Sequence, residues 1–201
     1  MPFHFFLLSN KTKHIAIFAS GKGSNALSII KHFSHSELAK VALIITNNVK
    51  AGVIDIANSN GIPLLIINND ELLQPEKLLK QLKYFKTDLI VLAGFLKKIP
   101  DALVHHYPNK IINIHPALLP KFGGKGMYGD KVHEAVLNAH EKTTGITIHY
   151  VNEHYDEGQI IFQAESSIAE NDTVETIRNK VQALEHLHFA ATIEQLLKKM
   201  P

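Results

Sequence analysis

Two polar residues at the end of an apolar segment are the part of this sequence best suited to chemistry. Asn113 and His115 end the segment 110–115 and are followed by Pro116. Residues two apart on a strand share one face, so their side chains would project side by side. The Asn113 amide can donate to a developing oxyanion, and His115 can act as a general acid or stabilise that oxyanion as imidazolium. A strand-end histidine with satisfied hydrogen bonds is the alternative, and the segment alone leaves both interpretations open.

A glycine-containing turn at residues 20–25 is a second candidate site. Its sequence is Ser-Gly-Lys-Gly-Ser-Asn, and it lies between a predicted strand and a predicted helix. Gly23 lets the backbone approach a ligand closely, and the N–H groups of the helix start, with Ser24 and Asn25, suit a phosphate. The turn lacks the third glycine of a dinucleotide motif and the Gly-Lys-Ser/Thr of a Walker loop. Phosphate binding and a plain strand-to-helix turn remain equally supported by this segment.

An acidic loop at residues 152–158 supplies the third candidate group. It joins two predicted strands and contains Asp156. A carboxylate close to His115 would raise the pKa of that imidazole and orient it, whereas a solvated acidic turn would do neither. His149, in the preceding strand, is interpreted as a supporting or structural histidine.

The elements that must position these groups alternate between strand and helix. Alternating units of this length predict an α/β fold with an open, mostly parallel sheet and helices on both faces. The short link between the last two strands predicts that this pair is antiparallel. We predict strands at 14–19, 41–46, 64–67, 88–93, 110–115, 145–151 and 159–164, and helices at 26–33, 51–59, 75–85, 100–106, 130–139 and 173–198, the last being one long helix or a broken pair.

Composition excludes several classes of function. The 201 residues are 45% hydrophobic and 20% charged, which is typical of a globular protein. There is no cysteine, so disulfides, thiolate nucleophiles and cysteine metal sites are excluded, and a reducing, cytoplasmic location is expected. A formal charge of +2 argues against a nucleic-acid surface. No apolar run reaches the ~18 residues of a membrane span, and the histidines lack the spacing of metal ligands.

Taken together, these segments resemble the glycinamide ribonucleotide formyltransferases, a folate-dependent family of purine biosynthesis. The matching pieces are IAIFASGKGSN at 15–25, VLAGFLKKI at 91–99, NIHPALLPKF at 113–122, GITIHYVNEHYDEGQII at 145–161 and VQALEH at 181–186. NIHPALLP is shared with other formyl-folate enzymes. The glycine turn, the short length and the VQALEH segment narrow the resemblance to this family.

The resemblance implies a Rossmann-like formyltransferase fold and a catalytic trio at Asn113, His115 and Asp156. The substrate amine would attack the formyl carbon of 10-formyltetrahydrofolate, and a tetrahedral intermediate would form. Asn113 and protonated His115 would stabilise its oxyanion. Asp156 would keep His115 charged and help a water relay protons from the amine to the leaving nitrogen.

The resemblance also implies two binding regions, with His149 and Pro116 in supporting positions and no metal. The phosphate of glycinamide ribonucleotide would lie at Gly23, Ser24 and Asn25, with Glu185 facing its glycinamide-ribose end. The pterin slot would be formed by Phe95, Leu96, Lys97, Lys98, Ile99, Asn152, Glu153, His154 and Tyr155.

The sequence departs from the family pattern at several positions. Lys22 replaces a small or polar residue and could add a phosphate contact, while Lys97 and Lys98 make the pterin slot more basic. No arginine in 64–80 matches the family's contact to the folate glutamate tail, for which Lys77 or Lys80 could substitute as point charges. The glycine-rich segment 122–129 could act as a flexible lid.

Three other functions compete with this one. Methionyl-tRNA formyltransferases share the trio but normally carry a C-terminal RNA-binding domain, and formyltetrahydrofolate deformylases carry an N-terminal regulatory domain. The third is a folate-binding protein without activity, against which the intact trio argues. We expect an N-terminal extension at 1–13 without a signal peptide, a catalytic domain at 14–201, and a monomer or homodimer with small-molecule partners and neither nucleic acid nor membrane.

Overall fold

A twisted sheet of seven strands forms the centre of the protein, in the order β3-β2-β1-β4-β5-β6-β7. The computed structural model describes residues 11–201. Strands β1 to β5 are parallel, and β6 runs antiparallel to both β5 and β7, which confirms the predicted architecture. The strands are β1 (Lys13–Phe18), β2 (Ala39–Thr46), β3 (Leu64–Ile66), β4 (Leu89–Leu92), β5 (Ile111–His115), β6 (Thr143–Tyr150) and β7 (Ile160–Ser167).

Helices cover both faces of the sheet. Alternate residues of β1 explain this arrangement, because Ile15 and Ile17 pack with α1, α2 and α7 while Ala16 and Phe18 pack with α3, α4 and α5. A strand apolar at every position must be covered on both sides. The helices are α1 (Ser24–Phe33), α2 (Val53–Ser59), α3 (Asn69–Leu72), α4 (Pro75–Tyr84), α5 (Asp101–His106), α6 (Asp130–Asn138) and α7 (Val174–Lys199).

The observed elements differ most from the predicted ones in three places, and the other bounds agree within two residues. Helix α3 was not predicted, and it is stabilised by a capping box between Asn68 and Glu71, a local signal in a polar segment. Helix α7 is continuous over 26 residues, so the broken-pair alternative is wrong. Strand β7 extends to Ser167, beyond the predicted end at 164, because it pairs with β6 as far as Thr143.

The strand order reverses beside β1, whose neighbours β2 and β4 lead to opposite sides of the sheet. Ligands of open α/β sheets bind at such a point, beyond the carboxyl ends of the strands. The loops that follow β1 and β4 are joined here, because the Ser20 amide donates to the Gly94 carbonyl at 3.0 Å and the Leu96 amide to Ser20 Oγ at 3.0 Å. The glycine turn and the segment 95–99 therefore share one end of the sheet.

The N-terminal boundary is partly visible. Residues 1–10 of the predicted extension lie outside the described residues, whereas Lys13 already belongs to β1. Within residues 11–201, no helix has the length and apolar character that crossing a membrane requires.

Candidate active site

Strand β5 and the loop between β6 and β7 bring the three predicted catalytic side chains together. Asn113 and His115 lie on β5, and Asp156 lies in the loop. The Asn113 amide nitrogen is 3.4 Å from Asp156 Oδ1, and His115 Nδ1 is 3.6 Å from Asp156 Oδ2. The carboxylate is therefore close to both β5 side chains, as the spacing of Asn113 and His115 on one strand required.

His149 fixes the orientation of Asn113. It faces Asn113 across the β5–β6 pairing and is 2% exposed. Its Nδ1 donates to the Tyr150 carbonyl at 2.9 Å, and its Nε2 lies 3.2 Å from the Asn113 amide nitrogen and 3.6 Å from Asp156 Oδ1. This network assigns the NH₂ group of Asn113 to the side facing His149 and Asp156.

The pKa of His115 is lowered in the ligand-free protein, although the neighbouring Asp156 acts to raise it as the sequence predicted. Burial lowers the pKa of His115, and the Asp156 charge and the Phe122 carbonyl oppose that shift without reversing it. The side chain is 3% exposed, and its Nε2–H donates to the Phe122 carbonyl at 2.8 Å. Desolvation exceeds the attraction because Asp156 is 3.6 Å away rather than at hydrogen-bond distance.

Asp156 is ionised. Burial alone would raise its pKa, but the contact with His149, the charge of His115 and the Gly124 amide together lower the pKa below its usual value. The Gly124 amide donates to Asp156 Oδ2 at 2.9 Å. Gly158 lets the loop turn tightly enough to place the carboxylate here, because a Cβ at this position would lie 1.7 Å from the Tyr150 carbonyl oxygen.

The glycine turn after β1 leads into helix α1, whose N-terminus has no side-chain cap. Gly23 has φ of +80°, and a Cβ there would lie 2.9 Å from side-chain atoms of Val53 and Ile56, so both conformation and packing require glycine. Helix α1 has no side-chain cap and no acidic residue in its first turn. Its N-terminal amides are thus available to an anion.

Helix α7 contacts the start of α1 through two hydrogen bonds. Asn25 Nδ2 donates to Glu185 Oε2 at 2.9 Å, and Gln182 Nε2 donates to Ser24 Oγ at 3.2 Å. Burial raises the pKa of Glu185, although the Asn25 bond opposes the shift. The carbonyl oxygen of the Asn25 side chain is buried and has no hydrogen-bond partner among the described residues.

One cavity of about 620 Å³ joins these groups. Asn25 and Glu185 line the part that we call the acceptor end. The part that we call the slot end is lined by residues 95–99 with Val151, Asn152, His154 and Tyr155. The catalytic trio lies between the two ends. The glycine-rich segment closes one side through residues 124–129.

The cavity includes most, but not all, of the predicted site residues. Gly23, Ser24, Glu153 and His149 are outside its lining. Glu153 bonds to His105 at 2.8 Å instead. Lys22, Lys77 and Lys80 are likewise not among the lining residues. The predicted residues that line it are Asn25, Phe95, Leu96, Lys97, Lys98, Ile99, Asn113, His115, Pro116, Asn152, His154, Tyr155, Asp156 and Glu185.

Two of the lining residues that the sequence reasoning missed lie on α6 and α7. His133 of α6 and Arg178 of α7 both face the cavity, and Arg178 binds Asp130 through Nε and an Nη at 2.7 and 2.9 Å. Arg178 precedes Gln182 by four residues, so helical spacing could have placed it on the same face of α7. Among residues 11–201, no group of three or more His, Asp or Glu is arranged to hold a metal ion.

Comparison with known proteins assigns the chain to a family. A sequence profile for formyl transferases matches residues 13–193. The chain belongs to the formyl transferase family. Within that family it is similar to the chloroplastic phosphoribosylglycinamide formyltransferase of Arabidopsis thaliana, at 43% identity over 91% of this chain and 65% of the plant protein. It is also similar to the phosphoribosylglycinamide formyltransferase of Bacillus subtilis, at 37% identity over 92% of this chain and 95% of that protein.

Solved structures of the family share the fold. The phosphoribosylglycinamide formyltransferase of Bacillus halodurans superposes with a TM-score of 0.85 at 39% identity, covering 93% of this chain and 96% of that one. The chain spans less than two thirds of the two plant relatives, 65% of the Arabidopsis thaliana protein and 62% of the Vigna unguiculata protein.

Proposed function

We propose that the protein transfers a formyl group from 10-formyltetrahydrofolate to the primary amine of glycinamide ribonucleotide, in purine biosynthesis. The observation that carries this proposal is the single cavity that joins a polar acceptor end, a carboxylate–imidazole–amide trio and a slot with apolar walls. The names of its relatives support the same acceptor. The expected cytoplasmic location stays a prediction.

The acceptor end suits a phosphorylated ribose. The uncapped start of α1 offers amide donors to a phosphate, and Lys22 adds a positive charge on the preceding turn. Glu185, which lines the cavity, offers an acceptor to hydroxyl or amine hydrogens. A nucleotide bound in this orientation directs its amine toward the trio.

The slot end suits a flat heterocycle. Leu92, Phe95, Ile99 and Val151 provide apolar walls, while the loops at 94–98 and 151–155 provide backbone polar groups. Phe95 packs edge-on against Phe18 of β1, with 5.3 Å between ring centroids, so the loop is fixed to the core. Such a slot holds a ring by shape and by backbone hydrogen bonds, and it places the formyl group near Asn113.

Charge complementarity accounts for the chemical step. As the amine attacks the formyl carbon, negative charge develops on the formyl oxygen, and the Asn113 NH₂ group donates to it. Burial lowers the pKa of His115, but that developing charge, together with Asp156, favours its protonated form. Asp156 then assists proton delivery to the leaving nitrogen. The required donors are oriented before substrate binds, which reduces the reorganisation needed in the transition state.

An acceptor assay tests the proposal. Purified protein is given 10-formyltetrahydrofolate with glycinamide ribonucleotide, with initiator methionyl-tRNA, or with water alone, and formylated product and tetrahydrofolate are measured. We expect formylation of the ribonucleotide only. Equal folate turnover with water would instead indicate a deformylase, and no turnover by folded protein that binds the folate would indicate a binding protein.

A further inference from the structure

Ser20 is a buried residue that the proposed reaction has not used. It opens the glycine turn and is 5% exposed. The turn runs from the carboxyl end of β1 to the start of α1, where the acceptor's phosphate is proposed to bind. Ser20 itself does not line the cavity, so any part it has in the reaction must act through the segments that it contacts.

The hydroxyl group of Ser20 joins two neighbouring loops. It donates to Asn47 Oδ1 at 2.6 Å, in the loop that follows β2. Because this bond uses its only proton, the Ser20 oxygen is left to accept, and the Leu96 amide donates to it at 3.0 Å. Leu96 lines the slot end of the cavity. One hydroxyl group therefore connects the glycine turn of the acceptor end with the loop of the slot end.

The backbone of Ser20 adds two bonds to the same two loops. Its amide donates to the Gly94 carbonyl at 3.0 Å, and its carbonyl accepts from Asn48 Nδ2 at 3.1 Å. Gly94 and Leu96 flank Phe95, one of the apolar walls of the slot. Ser20 thus holds the loop after β4 at two points, on either side of this wall. Of these two contacts, the one with Leu96 depends on the side chain.

The distance between the two ends of the cavity is decisive for the proposed reaction. The amine arrives from the acceptor end and the formyl carbon from the slot end, and they must be held about 3–3.5 Å apart to react. A misplacement of about 1 Å can cost on the order of 10²-fold in rate. The pairing of β1 with β4 ends at Phe18 and Leu92, so beyond these residues contacts between loops set the spacing.

We propose that Ser20 is a positioning residue that sets the spacing between the acceptor end and the slot end, an inference that rests on the proposed function. It touches neither substrate. Its hydroxyl group keeps the glycine turn and the loop after β4 in fixed relative positions, so that the bound amine faces the bound formyl carbon. Without the hydroxyl group, each binding region still forms, but the two can shift against each other.

Steady-state kinetics of the full chain test this role. We measure kcat, both KM values and the melting temperature for the wild type and for Ser20→Ala. We expect kcat to fall on the order of tenfold, because one of the two contacts with the loop after β4 remains and limits the shift. Each KM should change less than about threefold, since the interactions that bind each substrate are retained. A residue that only stabilised the fold would lower the melting temperature and leave kcat unchanged.

Ser36→Ala is the matched control. It also removes a serine hydroxyl group that accepts a backbone amide, that of Leu38 at 3.2 Å. Ser36 lies between α1 and β2, at the amino end of that strand and so at the opposite end of the sheet from the cavity. This variant should keep the wild-type kcat, whatever its melting temperature.

Substitutions of Asn47 test the same contact from its other partner. Asn47 orients the Ser20 hydroxyl group and does not line the cavity. Asn47→Ala removes the acceptor of the hydroxyl proton, so kcat should fall, whereas Asn47→Asp keeps an oxygen acceptor and should retain most of the wild-type kcat. In the double variant of Ser20→Ala with Asn47→Ala, kcat should fall no further than in Ser20→Ala, as expected for two residues that act through one bond.

The outcomes separate positioning from stability. Wild-type kcat in Ser20→Ala, or a rise in one KM alone, would overturn the role of Ser20. If Ser20→Ala does not fold, equal kcat in Asn47→Ala, Asn47→Asp and the wild type would overturn it as well. Absence of formyl transfer by the wild type would instead overturn the proposed function.

Discussion

The two ends of the cavity are built in different ways. At the acceptor end, polar side chains face the ligand space, among them the buried Asn25 and His133 and the half-buried Glu185. At the slot end, the polar side chains Lys97, Lys98 and His154 are exposed. The acceptor end therefore presents preorganised side-chain groups to a ligand. The slot end instead presents a fitting shape and backbone polar groups.

The difference follows from what each end would have to recognise. Hydroxyls, an amine and a phosphate are distinguished by individual donors and acceptors, which must be buried to be strong. A flat ring is held by apolar walls and by backbone N–H and C=O groups, which do not depend on the identity of the side chain. Substitutions should thus matter more at the acceptor end than at the slot end, and most at the trio between them.

The largest effect is expected at the centre, with Asp156→Asn. The amide retains an acceptor for the Gly124 amide but removes the charge that assists proton transfer and favours protonated His115. We expect kcat to fall by a factor on the order of 10² or more, with both KM values changed much less. Steady-state kinetics measure this, with the exposed loop neighbour Glu157→Gln as control. Wild-type turnover in Asp156→Asn would remove Asp156 from the mechanism.

The second largest effect is expected from Glu185→Gln. This substitution should affect binding at the acceptor end but not at the slot end. Glutamine keeps an oxygen for Asn25 but loses the charge offered to the acceptor, so KM for the acceptor should rise on the order of tenfold while KM for the folate is unchanged. Because burial raises the pKa of Glu185, neutralising it should also raise the melting temperature of the free protein. Equal increases in both KM values would contradict the separation of the ends.

Acid should destabilise the protein through two buried histidines that line the cavity, His115 and His133. Burial lowers the pKa of both His115 and His133, so below about pH 6.5 the unfolded chain binds protons that the folded protein excludes. Their contribution is fully present above that pH and decreases as the pH falls. We expect the melting temperature to fall between pH 6.5 and 5, and to fall less steeply in His133→Gln. A melting temperature independent of pH in that range would contradict this.

The smallest effect is expected at the slot end, with Lys97→Met. Lys97 is exposed, and the loop is fixed by backbone bonds rather than by this side chain, so KM for the folate should change less than about threefold. Leu96→Pro is the contrasting variant, because proline removes the amide that donates to Ser20 Oγ. It should raise KM for the folate well beyond the Lys97→Met value. A larger effect from Lys97→Met would show that side chains also govern the slot.

Local sequence patterns determined much of the fold. Apolar runs predicted all seven strands, because a strand covered on both faces must be apolar at nearly every position. The short link after β6 predicted the antiparallel pair, since so few residues cannot make a crossover. The ends of α3 and β7 were not predictable in the same way, because a polar capping box and cross-strand pairing set them.

In the candidate site, too, some features follow from the local sequence and others depend on tertiary contacts. The sequence by itself placed Asn113 and His115 on one face at a strand end, because side-chain alternation on a strand is a local property. Only the tertiary structure brought Asp156 to them, placed His133 and Arg178 on the cavity through the packing of α6 on α7, and lowered the pKa of His115. The reason is physical: which side chains meet, and how far a charge is desolvated, depends on segments distant in sequence.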